Sequence, residues 1–432
     1  MNKLIFLFSI LILITGCSLN KNSKFWTSSK DIKNNNSLGK KVFLKESAIS
    51  KELNLDLKIK LSPNISKIDY NNYYNNLGRI NFNKDLKKSS RFKFSKIKNF
   101  YQFEPTISSY NNNIIFFDNK GSILQFNSKS NLVWKKNYYS KLEKKLKPIL
   151  QFANNKKNLI VADNISKYYM IDLQTGKLIW LRNNLAPFNS QIKIYKDKFF
   201  IVDFSNTLRC FSIKNGDELW NIKTEDSLIK SQKKLSMVIV KEKIIFNNSI
   251  GDVSAVDLNT GELLWQLPTQ STTIFESSFS LETSEIITDG KILYFSNNKN
   301  QIFAINIDTA SFLWKNKVNS NLRSSLVEQY LFTISLEGYL IVTDKDSGNI
   351  IKITDIFNNF KIRNRAKIKP TGFIVGLSKI YVSTTNGRLI IVNIKTGKVI
   401  TILKIDNEKI SQPFIVDKDL FVIKDNGIIK LN

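Results

Sequence analysis

The chain has 432 residues, 65 Lys and Arg against 36 Asp and Glu, a formal charge of +29, no histidine and two cysteines. The missing imidazole excludes histidine metal sites and triad chemistry, and two cysteines exclude a disulfide scaffold or a four-cysteine zinc site. With 42% apolar residues a large core is possible. The positive charge is spread along the whole chain without a compact basic block, so it reads as a solvated surface, and no nucleic-acid partner is expected.

Met1-Asn2-Lys3 is a short positive start, and Leu4 to Thr15 is an apolar run too short to cross a bilayer as a helix. Gly16-Cys17 follows, so residues 1–16 read as a cleaved secretory signal peptide. The string Ile14-Thr15-Gly16-Cys17 looks like a bacterial lipobox, which would leave Cys17 as the acylated N-terminus. By analogy with lipoprotein sorting, Ser18 in place of Asp favours the outer membrane. Residues 17–85 then read as a lipid-anchored tether and N-terminal extension. Ser18 to about Lys41 is polar and without hydrophobic period, and Ala48 to Leu61 has room for a short helix or strand.

Residues 86–432 are built on one repeated phrase. Its clearest copies are Tyr169–Trp180 and Ser254–Trp265, and further copies end at Trp134, Trp220 and Trp314. Two later copies place Lys352 and Thr401 at the tryptophan position. These seven anchors are spaced by 46, 40, 45, 49, 38 and 49 residues, the length of a four-stranded propeller blade. Four residues before the anchor stands Gly176, Gly216, Gly261, Gly348 or Gly397, as a tight turn with positive φ requires. Ser130 and Ala310 stand there in the other two copies, and their turns are expected to differ. Ten residues before the anchor are Leu124, Met170, Cys210, Ala255, Ala304, Val342 and Ile391, all apolar, as an inward strand position demands. The periodic tryptophans are expected to pack between neighbouring blades. Cys210 reads as a small buried hydrophobe.

The end of the chain carries an eighth partial copy that stops before its anchor, so its outermost strand is missing. An open edge would leave backbone without partners. The alternating segment Arg91–Ile97 is the expected completing strand. The fold class is therefore all-β: an eight-bladed β-propeller over 86–432, with four-stranded antiparallel blades and the last blade closed by an N-terminal strand.

No nucleotide-binding loop, nucleophile elbow or CxxC pair occurs, so no catalytic residue, metal ligand or cofactor is expected. Asp172, Asp257 and Asp344 share one repeat position, which fits turn hydrogen bonding. Two inter-blade loops carry apolar residues with charged neighbours, a composition suited to protein binding. One contains Leu228, Ile229 and Lys230 before blade 4. The other, Ser271 to Glu282 before blade 5, contains Ile274, Phe275, Glu276, Phe279 and Glu282.

The phrase resembles the pyrroloquinoline-quinone-type propeller repeat. Together with the lipobox, the eight blades and the ending Asp417–Ile428, the chain is similar to the outer membrane protein assembly factor BamB family. That resemblance implies a non-enzymatic scaffold on the periplasmic face of the outer membrane. It implies binding to the POTRA domains of a BamA-like barrel protein, and assistance to nascent outer membrane β-barrel proteins during insertion. It maps the docking loops onto the two segments above, with Lys230 where arginine is usual, Glu282 where aspartate is usual and Ser278 where arginine would be expected. A quinoprotein dehydrogenase shares the repeat but would need a catalytic aspartate, a Ca2+ site and adjacent cysteines. A membrane-tethered propeller binding another protein or a cell-wall polymer is the remaining alternative.

Overall fold

Short β-branched and aromatic runs broken by Asn, Asp, Gly or Ser favour strands joined by tight turns. The computed structural model describes residues 49, 51–62, 74, 76, 78–98, 100–226, 230–269 and 281–432. Among these residues 32 strands form eight four-stranded antiparallel sheets. Each sheet is one propeller blade. Blades 1 to 7 span 108–136, 150–183, 193–223, 237–267, 287–316, 325–355 and 370–404. Blade 8 joins 414–431 to the N-terminal strand Lys88–Lys93. The architecture is the eight-bladed propeller that the repeat predicts.

The second and third strands of each blade are packed on both faces by neighbouring blades, which is why they read as nearly continuous apolar runs. Asn158–Asp163 and Lys167–Asp172 are examples, with only their end residues Asn158 and Asp172 less than buried. Buried side chains cluster between consecutive blades: 2 with 3, 3 with 4, 4 with 5, 5 with 6, 6 with 7 and 7 with 8. One further cluster joins blades 8, 1 and 2, so the ring is closed.

Closure depends on the first strand. Arg91 pairs with Ile429 and Phe92 with Ile428. Phe92 is fully buried, with its ring 5.7 Å from Phe126 of blade 1 and 5.9 Å from Phe421 of blade 8. The strand begins and ends earlier than Arg91–Ile97, because its partner turns away at Asp425 and Asn426. Beyond Lys93, the Phe94 amide (to Asn426 O, 3.4 Å), the Ile97 amide (to Asp425 O, 2.7 Å) and the Lys96 ammonium (to Asp425 Oδ2, 2.9 Å) still reach that hairpin.

The hairpin before each outer strand contains a left-handed residue. Gly176, Gly216, Gly261, Gly348 and Gly397 have φ of 67°, 77°, 79°, 76° and 73°. Ser130 and Ala310, expected to alter their turns, adopt the same conformation with φ of 67° and 55°. Blade 1 differs in length instead. The Ser130 amide donates to Asn127 O, three residues back, whereas Gly176 and Ala310 donate four residues back, to Asp172 O and Asn306 O. The shorter turn shifts the register, so Gln125, not Leu124, stands opposite Trp134, as Met170 stands opposite Trp180. Gln125 is buried, and its Nε2 donates to Leu173 O of blade 2 at 3.2 Å.

The anchor tryptophans lie against the turn of the next blade. A Cβ added to Gly216 would come within 2.7 Å of Trp180, and one on Gly261 within 2.7 Å of Trp220. Trp180, Trp265 and Trp314 each donate Nε1 to a carbonyl of the following blade, Ile213 O, Ile307 O and Lys345 O, at 2.9, 3.0 and 2.9 Å. Cys210, opposite Trp220, is fully buried, and burial pushes its thiol up to about 12.

Candidate functional site: the return-loop face

Every outer strand hands the chain back to the innermost strand of the next blade, so the return segments gather on one face around the ring axis. They line a funnel of about 1000 Å³. Each return contributes: Glu104, Ile149, Asn189, Lys233, Glu282, Asn321, Lys369 and Lys409 all face it. A smaller cavity of about 280 Å³ lies among the innermost strands, lined by Gln151, Gln191, Lys193, Glu285, Arg323 and Gln412 among others.

The charges in this face are largely neutralised in place. Lys233 lies 3.2 Å from Glu104 and also donates to Asn321 O. Lys409 donates to Tyr101 O at 3.1 Å and Phe103 O at 3.4 Å, and burial lowers its pKa. Arg323 pairs with Glu285 at 3.2 Å. Burial pulls the Glu285 carboxyl up, but Arg323, Lys234 and Lys193 outweigh it and hold the group below its ordinary value. Such an arrangement binds and orients. Among the described residues no group of three or more His, Cys, Asp or Glu could hold a metal ion.

Asn76 and Ile80 also line the smaller cavity. Asn76 Nδ2 donates to Ile286 O at 2.9 Å and Met237 O at 3.3 Å, while Lys193 Nζ donates to its Oδ1 at 2.7 Å. The Ile239 amide donates to Tyr74 O at 3.2 Å. Arg79 bridges Val375 in parallel register, and the Ile80 amide donates to Val375 O at 2.8 Å. Inner strands of blades 3, 4, 5 and 7 therefore all hold this segment. Sequence reasoning did not find these contacts. The segment's polar residues carry no period, and only the buried pairing to distant strands marks them.

Of the expected partner-binding residues, Lys230 and Glu282 are described. Leu228, Ile229, Ile274, Phe275, Glu276 and Phe279 lie outside the described residues, as does Cys17. Lys230 sits 2.5 Å from Asp226 and donates to Phe204 O at 2.8 Å. Glu282 accepts from Asn321 Nδ2, and its amide donates to Asn298 Oδ1 at 2.9 Å. The two loops are thus consecutive returns, and the second reaches the funnel through Leu281 and Glu282. Asp172, Asp257 and Asp344 serve their turns, accepting from the amides of Thr175 at 2.7 Å, Thr260 at 2.8 Å and Ser347 at 2.8 Å. Those bonds lower their carboxyl pKa values.

Residues 119–354, more than half of the chain, match the family model described as outer membrane protein assembly factor BamB. The chain belongs to this BamB family. Among curated proteins it is 19% identical over 277 residues to the BamB of Moranella endobia (strain PCIT), covering 62% of this chain and 68% of that one. It is 20% identical over 221 residues to an uncharacterised protein of Rickettsia prowazekii (strain Madrid E), covering 50% of this chain and 51% of that one. Among solved structures, BamB from Moraxella catarrhalis superposes with a TM-score of 0.63 at 14% identity, covering 80% of this chain and 99% of that one. The quinohemoprotein alcohol dehydrogenase of Comamonas testosteroni superposes with a TM-score of 0.62 at 9% identity, covering 83% and 79%. At these identities the superpositions establish a shared propeller fold, and the family assignment rests on the sequence match.

Proposed function

We propose that this BamB-family propeller is a non-enzymatic scaffold lipoprotein of the outer membrane β-barrel assembly machinery. Signal cleavage leaves Cys17 acylated, and the lipid holds the protein on the periplasmic face of the outer membrane. The propeller, 86–432, presents its return-loop face to the POTRA domains of a BamA-like barrel protein and so assists insertion of nascent outer membrane β-barrel proteins. The family match over 119–354 carries this reading. It is supported by the return-loop face, where the described ends of the returns before blades 4 and 5, Gln232 to Lys234 and Leu281 to Glu282, line one recess. Leu228, Ile229 and Lys230 supply the contacts of one loop. Ile274, Phe275, Glu276, Phe279 and Glu282 supply those of the other.

Affinity purification from detergent-solubilised envelope tests this. The barrel protein with POTRA domains is expected to co-purify with the intact chain. A combined Leu228→Ala, Ile229→Ala and Lys230→Ala variant should lose it at least about tenfold, as truncation of central apolar contacts does. Recovery of another protein or a cell-wall polymer in its place would reject the proposal.

A further inference from the structure

The outer strands of blades 1 to 5 leave apolar residues open. Leu132 and Val133, Leu178 and Ile179, Leu219, Leu263 and Leu264, and Phe312 and Leu313 are each 42–50% exposed. Blade 6 breaks the pattern: in its outer strand, Ile350–Asp355, no residue is exposed. The cover is the N-terminal extension. Leu53 and Ile353 exchange both backbone hydrogen bonds, each at 3.1 Å. Asn54 Nδ2 donates to Ile351 O at 2.8 Å, and the Asp355 amide donates to Glu52 Oε1 at 2.9 Å. Farther along, the Ile59 amide donates to Lys395 O of blade 7 at 2.9 Å, with the Ile59 side chain buried.

The residue that distinguishes blade 6 is Lys352, at the position that is tryptophan in blades 1 to 5. It is 1% exposed. Its ammonium donates to Asn54 O, Leu55 O and Leu57 O at 3.0, 2.6 and 2.9 Å. All three donors of the group are used, which a buried lysine requires. An indole has one donor, and Trp180, Trp265 and Trp314 spend theirs on the next blade. No other blade anchor offers three carbonyls a partner.

We propose that Lys352 seats residues 52–59 on blade 6, and that this segment is a built-in guard of the outer edge of that blade. A seated guard withholds that edge from any partner strand, while the edges of blades 1 to 5 stay open to pairing.

Amide hydrogen exchange on the full-length protein tests both parts. In Lys352→Met the Leu53 and Ile353 amides are expected to exchange at least about tenfold faster, with Ile160 and Val161 of blade 2 unchanged as the record of an intact ring. Leu53→Pro, which removes one of the two paired amides and leaves Lys352 in place, should free the Ile353 amide equally. Exchange at Leu53 and Ile353 within about twofold of wild type in Lys352→Met overturns the role given to the lysine. Should that variant lose protection in blade 2 as well, Leu53→Pro decides: a still-protected Ile353 overturns the guard.

Discussion

Lys193 stands on the innermost strand of blade 3, 3% exposed, with its ammonium on Asn76 Oδ1. Burial pushes its pKa down to about 7, against the opposing pull of Glu285. In the unfolded chain a lysine titrates near about 10.4. Between those values the unfolded chain binds more protons than the folded one, so stability rises with pH. The lysine's contribution is therefore complete above the unfolded pKa and lost as pH falls toward 7. Measured against Lys193→Met, the wild type should gain about 2 kcal/mol between pH 7 and pH 9 in urea denaturation. A difference between the two proteins that stays flat over that range would mean that the ammonium is not strained by its burial.

Hairpin turns carry the predictions at the next scale. Gly216 has φ of 77°, and an added Cβ would lie 2.7 Å from Trp180. Gly216→Ala combines a left-handed side chain with a clash and should cost about 2–4 kcal/mol. Ala310 already bears that backbone strain at φ of 55°. Ala310→Gly should therefore stabilise by about 0.5–1 kcal/mol, the relief being partly offset by unfolded-chain entropy. Opposite signs in thermal unfolding of the two variants are the expected outcome, and equal signs would refute the shared turn geometry. Glycine spacing made these turns legible in the sequence, because only the tolerated φ had to be read. The second turn of each blade was less visible. There Asp118, Asp163, Asp203 and Asn248 accept the amides of Ser122, Lys167, Thr207 and Asp252, and the left-handed residue varies among Gly121, Ser166, Asn206 and Gly251. Side-chain hydrogen bonding replaces a fixed residue type in holding that turn, so no single letter marks it.

Across the whole molecule, stability depends on a ring that joins its two ends. Phe92 belongs to a six-residue strand, yet its side chain bridges blades 8 and 1. Phe92→Ala should cost about 3–5 kcal/mol in denaturant unfolding, as much as any central core residue. A loss below about 1 kcal/mol would show that the closing strand is an ornament on a ring held elsewhere. Residues 414–431 supply three strands of blade 8, and the alternating segment that starts near Arg91 marked the fourth in the sequence. Its register did not follow from the repeat, because the position of the Asp425–Asn426 turn decides where pairing stops. Sequence pattern marked the two segments proposed for docking. The ties of Lys230 to Asp226 and of Glu282 to Asn321 arise only where separate returns meet.

Seven anchors, their turn residues and one absent strand set the fold, since each blade solves the same local packing problem and so repeats the same letters. The seat of the N-terminal segment was decided only by the folded ring. Lys352 meets Asn54 across 298 positions, and Asn76 meets Ile286 across 210. Those bonds form once and obey no period. The residues that make them look like ordinary surface polar groups until closure brings them together and removes the water around them.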